Sequence, residues 1–196
     1  MENTTVVLRL ALGGEQTPYL SDISSLLYDF ELSYNLSVIL TAPEYADYVF
    51  SDNFFFRTRR KLKDEYRIRV SKITKESPFE ILLVIASGAV AVTAILKALD
   101  VLLDVIEKAS TLGSKREKGR LENENLKKDG ILKDLEIEKQ LQKRKAKSIR
   151  DSLVKRIQKN PMQIVKFEIQ VIDDKSKEVV KTQVWRSSID EEKKRP

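Results

Sequence analysis

The longest uninterrupted apolar stretch of the chain covers residues 81–96, sixteen positions without a charge and with two hydroxyls, Ser87 and Thr93. Just ahead of it, Ser77-Pro78-Phe79-Glu80 has capping-box spacing with proline in the first turn, so the pattern predicts a helix opening at Ser77. Two seams follow at four- and three-residue spacing: a small one of Ser87, Ala91, Ala94, Ala98, Val101 and Val105, and a bulky one of Ile85, Val92, Ile95, Leu99, Leu102 and Ile106. A helix with two apolar seams needs more than one neighbour. After Leu96, the charges Lys97, Asp100, Asp104 and Glu107 make it one-sided. Leu112-Gly113-Ser114 then offers a reversal into a second, charge-rich arm that ends at Lys159. The apolar stripe of that second arm is thin (Leu121, Leu126, Leu132, Leu135, Leu141) until Ala146, Ile149, Leu153 and Ile157. It is too sparse to cover two seams, so part of the first arm is expected to meet another chain or lipid.

The flanking segments alternate instead. Residues 4–12 predict a strand with Val6, Leu8 and Leu10 on one face and Val7 and Arg9 on the other, closed by Gly13-Gly14. Leu20, Ile23, Leu26, Leu27 and Phe30 recur at helical spacing and predict an amphipathic helix to about Leu40. Phe54-Phe55-Phe56 and the alternating run 66–73, around a basic connector, predict a hairpin with Tyr66, Ile68 and Val70 facing inward. Asn160-Pro161 stops the second long helix, because the residue before proline is pushed out of the α region and proline cannot donate. Residues 163–172 and 179–185 then form a hairpin around the turn 173–177, with Val165, Phe167, Ile169 and Val171 on one face and Ile164, Lys166, Glu168 and Gln170 on the other.

The expected fold class is therefore α+β: a small antiparallel-sheet head, made of a β-α-β-β unit and the C-terminal β-hairpin, with a long inserted helical hairpin or coiled-coil stalk. Two heads at opposite ends of an extended helix are the alternative. The expected units are 1–76 for the N-terminal part of the head, 77–112 for the apolar helix, 113–160 for the charged helix, 161–187 for the closing hairpin and 188–196 for a tail.

Composition removes whole classes of chemistry. With no cysteine there is no disulfide framework and no thiolate metal site, and with no histidine there is no imidazole base or ligand. Gly13-Gly14 lacks the glycine and lysine of a phosphate-cradling loop, and Asp173-Asp174 and Glu191-Glu192 fall in a turn and a tail. No nucleophile–base pair emerges, so no enzyme activity, metal, cofactor or small-molecule substrate is expected. The start of the chain has neither a basic n-region nor an apolar h-region, which sets the expected address in the cytoplasm, or at the cytoplasmic face of a membrane.

Three roles remain. The leading one is a self-assembling scaffold or adaptor, a homo-oligomer joined through helix 81–106, with Ile85, Ser87, Ala91, Val92, Ala94, Ala98, Leu99 and Leu102 as the interface. The second is a membrane-associated protein in which 81–103 enters the bilayer; the uncharged run falls short of the roughly 20 residues a span requires. The third is polyanion binding, nucleic acid included. Residues 139–159 hold nine basic side chains against Asp151, and the formal net charge is +6. Lys143, Arg144, Lys145, Lys147 and Arg150, with Arg59 and Arg60 in the basic connector, are the candidate contacts for phosphates or lipid headgroups.

Overall fold

The structure is a computed structural model that describes residues 3–13, 19–50, 54–57, 62–74, 79–111 and 132–187. Its elements in order are β1 (Asn3–Gly13), α1 (Leu20–Thr41), a 3-10 turn at Pro43–Tyr45, α2 (Phe54–Arg57), a second 3-10 turn at Asp64–Tyr66, β2 (Arg69–Thr74), β3 (Phe79–Gly88), α3 (Ala89–Thr111), α4 (Leu132–Lys159), β4 (Gln163–Asp173) and β5 (Val179–Arg186). The five strands make one antiparallel sheet in the order β2-β3-β1-β4-β5. The class is α+β.

The apolar run 81–96 divides between two elements. Its first half belongs to β3, paired with β1 on one side and β2 on the other, and the helix begins only at Ala89. The helix expected from Ser77 is thus corrected: Glu80 lies in a strand, and Ser77 and Pro78 fall outside the described residues. A strand with neighbours on both sides needs apolar residues on both faces, and such a run has no polar positions to mark its period. Ile81, Leu83 and Ile85 are buried beneath the helices, while Leu82 and Val84 lie half-buried on the opposite face.

Phe54–Arg57, expected as a strand, is a single helical turn, so β2 pairs with β3 and not with a phenylalanine strand. The inward face expected for Tyr66, Ile68 and Val70 is corrected as well: Tyr66 lies in the second 3-10 turn and Val70 is exposed on β2, an edge strand. In β1 and β4 the alternation holds. Val6, Leu8 and Leu10 face the helices, and Phe167, Ile169 and Val171 do so from β4. One register shift re-aims a side chain: Ala11 pairs with Lys166 but Leu12 with Ile164, which leaves Val165 as the extra residue and turns Ile164 into the core.

α1 has the expected extent but not the expected amphipathicity, since every residue from Leu32 to Ile39 is buried. Three of its hydroxyls are satisfied within the helix. Ser33 donates to the Asp29 carbonyl, Ser37 to Ser33 and Thr41 to Ser37, each at 2.8 Å. α3 packs on α1 with Ala91, Ala94 and Ala98 buried, and Leu99, Leu102, Val105 and Ile106 complete that core. Each fully buried leucine contributes roughly 1.5–3 kcal/mol.

The C-terminal part of α4 lies along the core with α1 and α3, burying Ala146, Ile149, Leu153, Val154 and Ile157, and residues 112–131 of the expected stalk fall outside the described residues. Polar links fix it there. Arg156 pairs with the buried carboxylate of Asp29 at 2.8 Å, and Arg150 pairs with Asp104 of α3. At its end, Asn160 donates to the Asp22 carbonyl at 3.1 Å and to the Ser25 hydroxyl at 2.7 Å, and accepts from the Met162 N–H at 2.8 Å. Among the described residues no helix is long and apolar enough to cross a membrane. The reversal expected at Gly113 lies outside the described residues.

Candidate functional site

Six of the eight expected interface residues lie inside the protomer. Ile85, Ala91, Ala94, Ala98, Leu99 and Leu102 are all buried against the chain's own sheet and helices, Val92 is half-buried, and Ser87 stands opposite Thr4 in the β1–β3 register. The alanine seam does permit close helix approach, but the neighbour it admits is α1. The reason for expecting a second copy on this surface, apolar area left uncovered, therefore disappears.

The basic set is also divided. Lys145 reaches the Phe50 carbonyl at 3.4 Å and Arg150 is paired with Asp104, so both are engaged within the fold. Lys143, Arg144 and Lys147 are exposed, and Arg59 and Arg60 fall outside the described residues. Lys139, Lys143 and Lys147 are spaced one turn apart and form a basic stripe on α4.

That stripe borders a cleft of about 570 Å³ between α4 and the segment leaving α1. The segment is shaped by its punctuation: Pro43 starts a 3-10 turn after Ala42, and Tyr45 and Tyr48 each close a turn through backbone hydrogen bonds of 3.1 and 2.9 Å. It then runs to Phe50, whose N–H donates to the Gln142 side-chain oxygen at 2.8 Å. Gln142 and Lys145 thus hold the Phe50 peptide from α4 and keep the cleft open beside it.

The cleft floor is apolar and buried (Ile39, Ala42, Phe50, Ala146), and Tyr45 and Tyr48 stand in its walls. Two large apolar side chains remain in water at its lip, Leu40 at 46% and Val49 at 61% exposure. The lysines Lys139 and Lys143 lie on the α4 side, with Asp47 on the other. A volume in the range of small-molecule sites, an apolar lining and a few charged groups at the mouth are the features of a binding cleft.

The rings beside it are fixed by a tyrosine network. Tyr45 packs edge-on to Tyr66 at 6.0 Å and accepts from the Lys63 N–H at 2.8 Å, and the Tyr66 hydroxyl donates to Glu44 at 3.0 Å. Burial and the Glu44 partner push the Tyr66 phenol far up, while Glu44 is lowered by its own backbone hydrogen bond and by Tyr66. Burial also raises Tyr48. Tyr34, buried in the same region, is raised by desolvation and by Tyr66 and Tyr45, and its hydroxyl has no hydrogen-bond partner among the described residues. Phenols held neutral in this way are walls and donors, not bases. No cluster of acidic side chains among the described residues could hold a metal ion.

Of the sequence candidates, only Lys143 lines the cleft. Its partners come from residues 39–50, where the signal was two exposed apolar side chains beside aromatic ones after a helix-stopping proline. No family model, curated protein or solved structure matches the chain.

Proposed function

We propose that the protein is a non-catalytic binding protein whose cleft takes an amphipathic molecule with an apolar body and a single anionic end, an acyl carboxylate or phosphate ester. The observation that carries this reading is the joining of an apolar floor with exposed Leu40 and Val49 at its lip to two lysines one turn apart at its mouth. The body would lie on Ile39, Ala42, Tyr48 and Phe50, displacing water from a surface that is otherwise hydrated. Lys139 and Lys143 would meet the head group, keeping part of the polyanion reading of α4 but for one charge at a time.

The test is titration of a fluorescent long-chain fatty acid, with the corresponding fatty alcohol as competitor. Two exposed ion pairs contribute up to about 1 kcal/mol each, so Lys139→Gln/Lys143→Gln should weaken the acid roughly tenfold and leave the alcohol unchanged. Val49→Asp, at an exposed lip, should weaken both. Acid binding that neither variant alters removes the cleft as the site. Binding of an acidic amphipathic peptide with no binding of the acid replaces the lipid-like ligand by a protein segment and overturns the proposal.

A further inference from the structure

A ligand seated in the cleft accounts for its floor but not for the rest of its rim. Leu40 and Val49 stand 46% and 61% exposed at the lip. Across the mouth, α4 carries Lys139, Lys143, Arg144, Lys147, Lys155 and Lys159 as exposed cations, and from residue 139 to 159 its acidic side chain is Asp151 alone. Lys143 and Lys147 are one turn apart and Arg144 lies three residues before Lys147, so these three share a face. Arg144 and Lys147 do not line the cleft, so a single anionic end held by Lys139 and Lys143 leaves them without a role. The opposite wall is less favourable to anions: it brings Asp47, and Glu44, which accepts from the Tyr66 hydroxyl.

Clustered exposed cations answer to any polyanion, whereas protruding leucine and valine side chains answer to hydrocarbon. A bilayer that contains anionic lipid offers both at one surface, phosphates for α4 and the acyl boundary for the lip. A nucleic acid meets the cations through its phosphates but leaves Leu40 and Val49 in water.

From this joint rim we infer that the cleft mouth docks on an anionic lipid bilayer, from which its amphipathic ligand enters. The inference rests on the reading of the cleft as a site for an acid with an apolar body, and adds the surface that supplies it. In the docked state Leu40 and Val49 give up their remaining exposure to the acyl boundary, and Arg144 and Lys147 hold headgroups beside the mouth. The ligand's chain then passes to the floor of Ile39, Ala42 and Phe50 without crossing water. The contact is peripheral and needs no spanning helix. It moves the lipid contact expected of residues 81–103 to side chains that the fold leaves in water.

Flotation of the full chain with extruded vesicles tests the docking. Each lysine or arginine near an anionic surface strengthens binding about fivefold, so vesicles with about 30% phosphatidylglycerol in phosphatidylcholine should carry the protein at least about tenfold more strongly than phosphatidylcholine alone. Arg144→Gln/Lys147→Gln should lower that partitioning at least about tenfold, and should leave titration of the fluorescent fatty acid in vesicle-free solution within about twofold of wild type. Val49→Asp should lower partitioning as well, and part of the wild-type binding should survive about 0.5 M salt, which screens the headgroup contacts but not the apolar ones. Circular dichroism of each variant separates lost docking from lost folding. A wild type that ignores anionic vesicles, equal partitioning onto both lipid compositions, or a double variant that floats like wild type overturns the docking while the acid titration stands. A DNA duplex that binds through Arg144 and Lys147, with no binding of vesicles, makes the patch a polyanion site and overturns it likewise. Vesicle binding with no acid bound in vesicle-free solution removes the reading of the cleft and the entry route together.

Discussion

Replacing Arg156 by leucine should be among the costliest single changes on the α1–α4 contact. Arg156 Nε meets Asp29 Oδ1 at 2.8 Å; the carboxylate side chain is 5% exposed and the arginine 46%. Breaking a fully buried pair by removing one partner costs roughly 3–5 kcal/mol, because the remaining charge is stranded. Here the arginine is half in water, so its share of the pairing is screened, and about 2 kcal/mol is the better expectation. Its guanidinium also lies over the rings of Tyr28 and Phe55 at 5.9 and 5.6 Å, which adds about 0.5 kcal/mol. Leucine keeps much of the stem's packing, so the loss reports the charge.

The pH dependence supplies a sharper check. Burial raises the Asp29 carboxyl above its ordinary value, and Arg156 partly opposes that. A carboxyl raised in the folded state binds its proton more readily there than in the unfolded chain. Its contribution is therefore most favourable at low pH and is lost as pH rises from the unfolded value of 3.8 through the folded one. Without Arg156 the folded value climbs further, so the deficit of Arg156→Leu should be full at neutral pH and shrink towards about pH 4, where Asp29 is protonated with or without its partner. Urea denaturation at both pH values, on the two single variants and Arg156→Leu/Asp29→Asn, measures the coupling. A deficit equal at both pH values, or a coupling below about 0.5 kcal/mol, would refute the reasoning.

Two further substitutions test the packing. A Cβ at Gly13 would lie 2.6 Å from Val165 Cγ1, and a β-branched side chain yields little, so Gly13→Ala should cost about 1–3 kcal/mol and Val165→Ala in the same chain should recover most of it; thermal melts that show no recovery would place the strain elsewhere. Tyr34→Phe removes a buried hydroxyl without a partner among the described residues, so it should raise stability by about 1 kcal/mol, or roughly 2–4 °C in Tm; a loss of that size would mean that the hydroxyl is satisfied.

What could be read from the residues was local. Alternation marked β1, β4 and β5 and the faces of the first two, because each places a full apolar face on one core and the period of two leaves no other register. The span of α1, the stop at Asn160-Pro161 and the lack of any histidine or cysteine chemistry were equally plain. The run 81–96 was not, since a strand with neighbours on both sides and a helix covered all round present the same unbroken apolar composition. Pairing with β1 on one side and β2 on the other made its first half a strand, and the β1 pairing joins residues 67 to 85 positions apart. The cleft escaped for a related reason. Its lysines and its apolar lip lie about a hundred residues apart, and each was an ordinary surface residue until α4 packed beside the end of α1. Sequence by itself determined which segments must bury one face, which breaks end them and which chemistry is excluded; the tertiary structure decided what covers each apolar face, because burial belongs to pairs of elements and not to one.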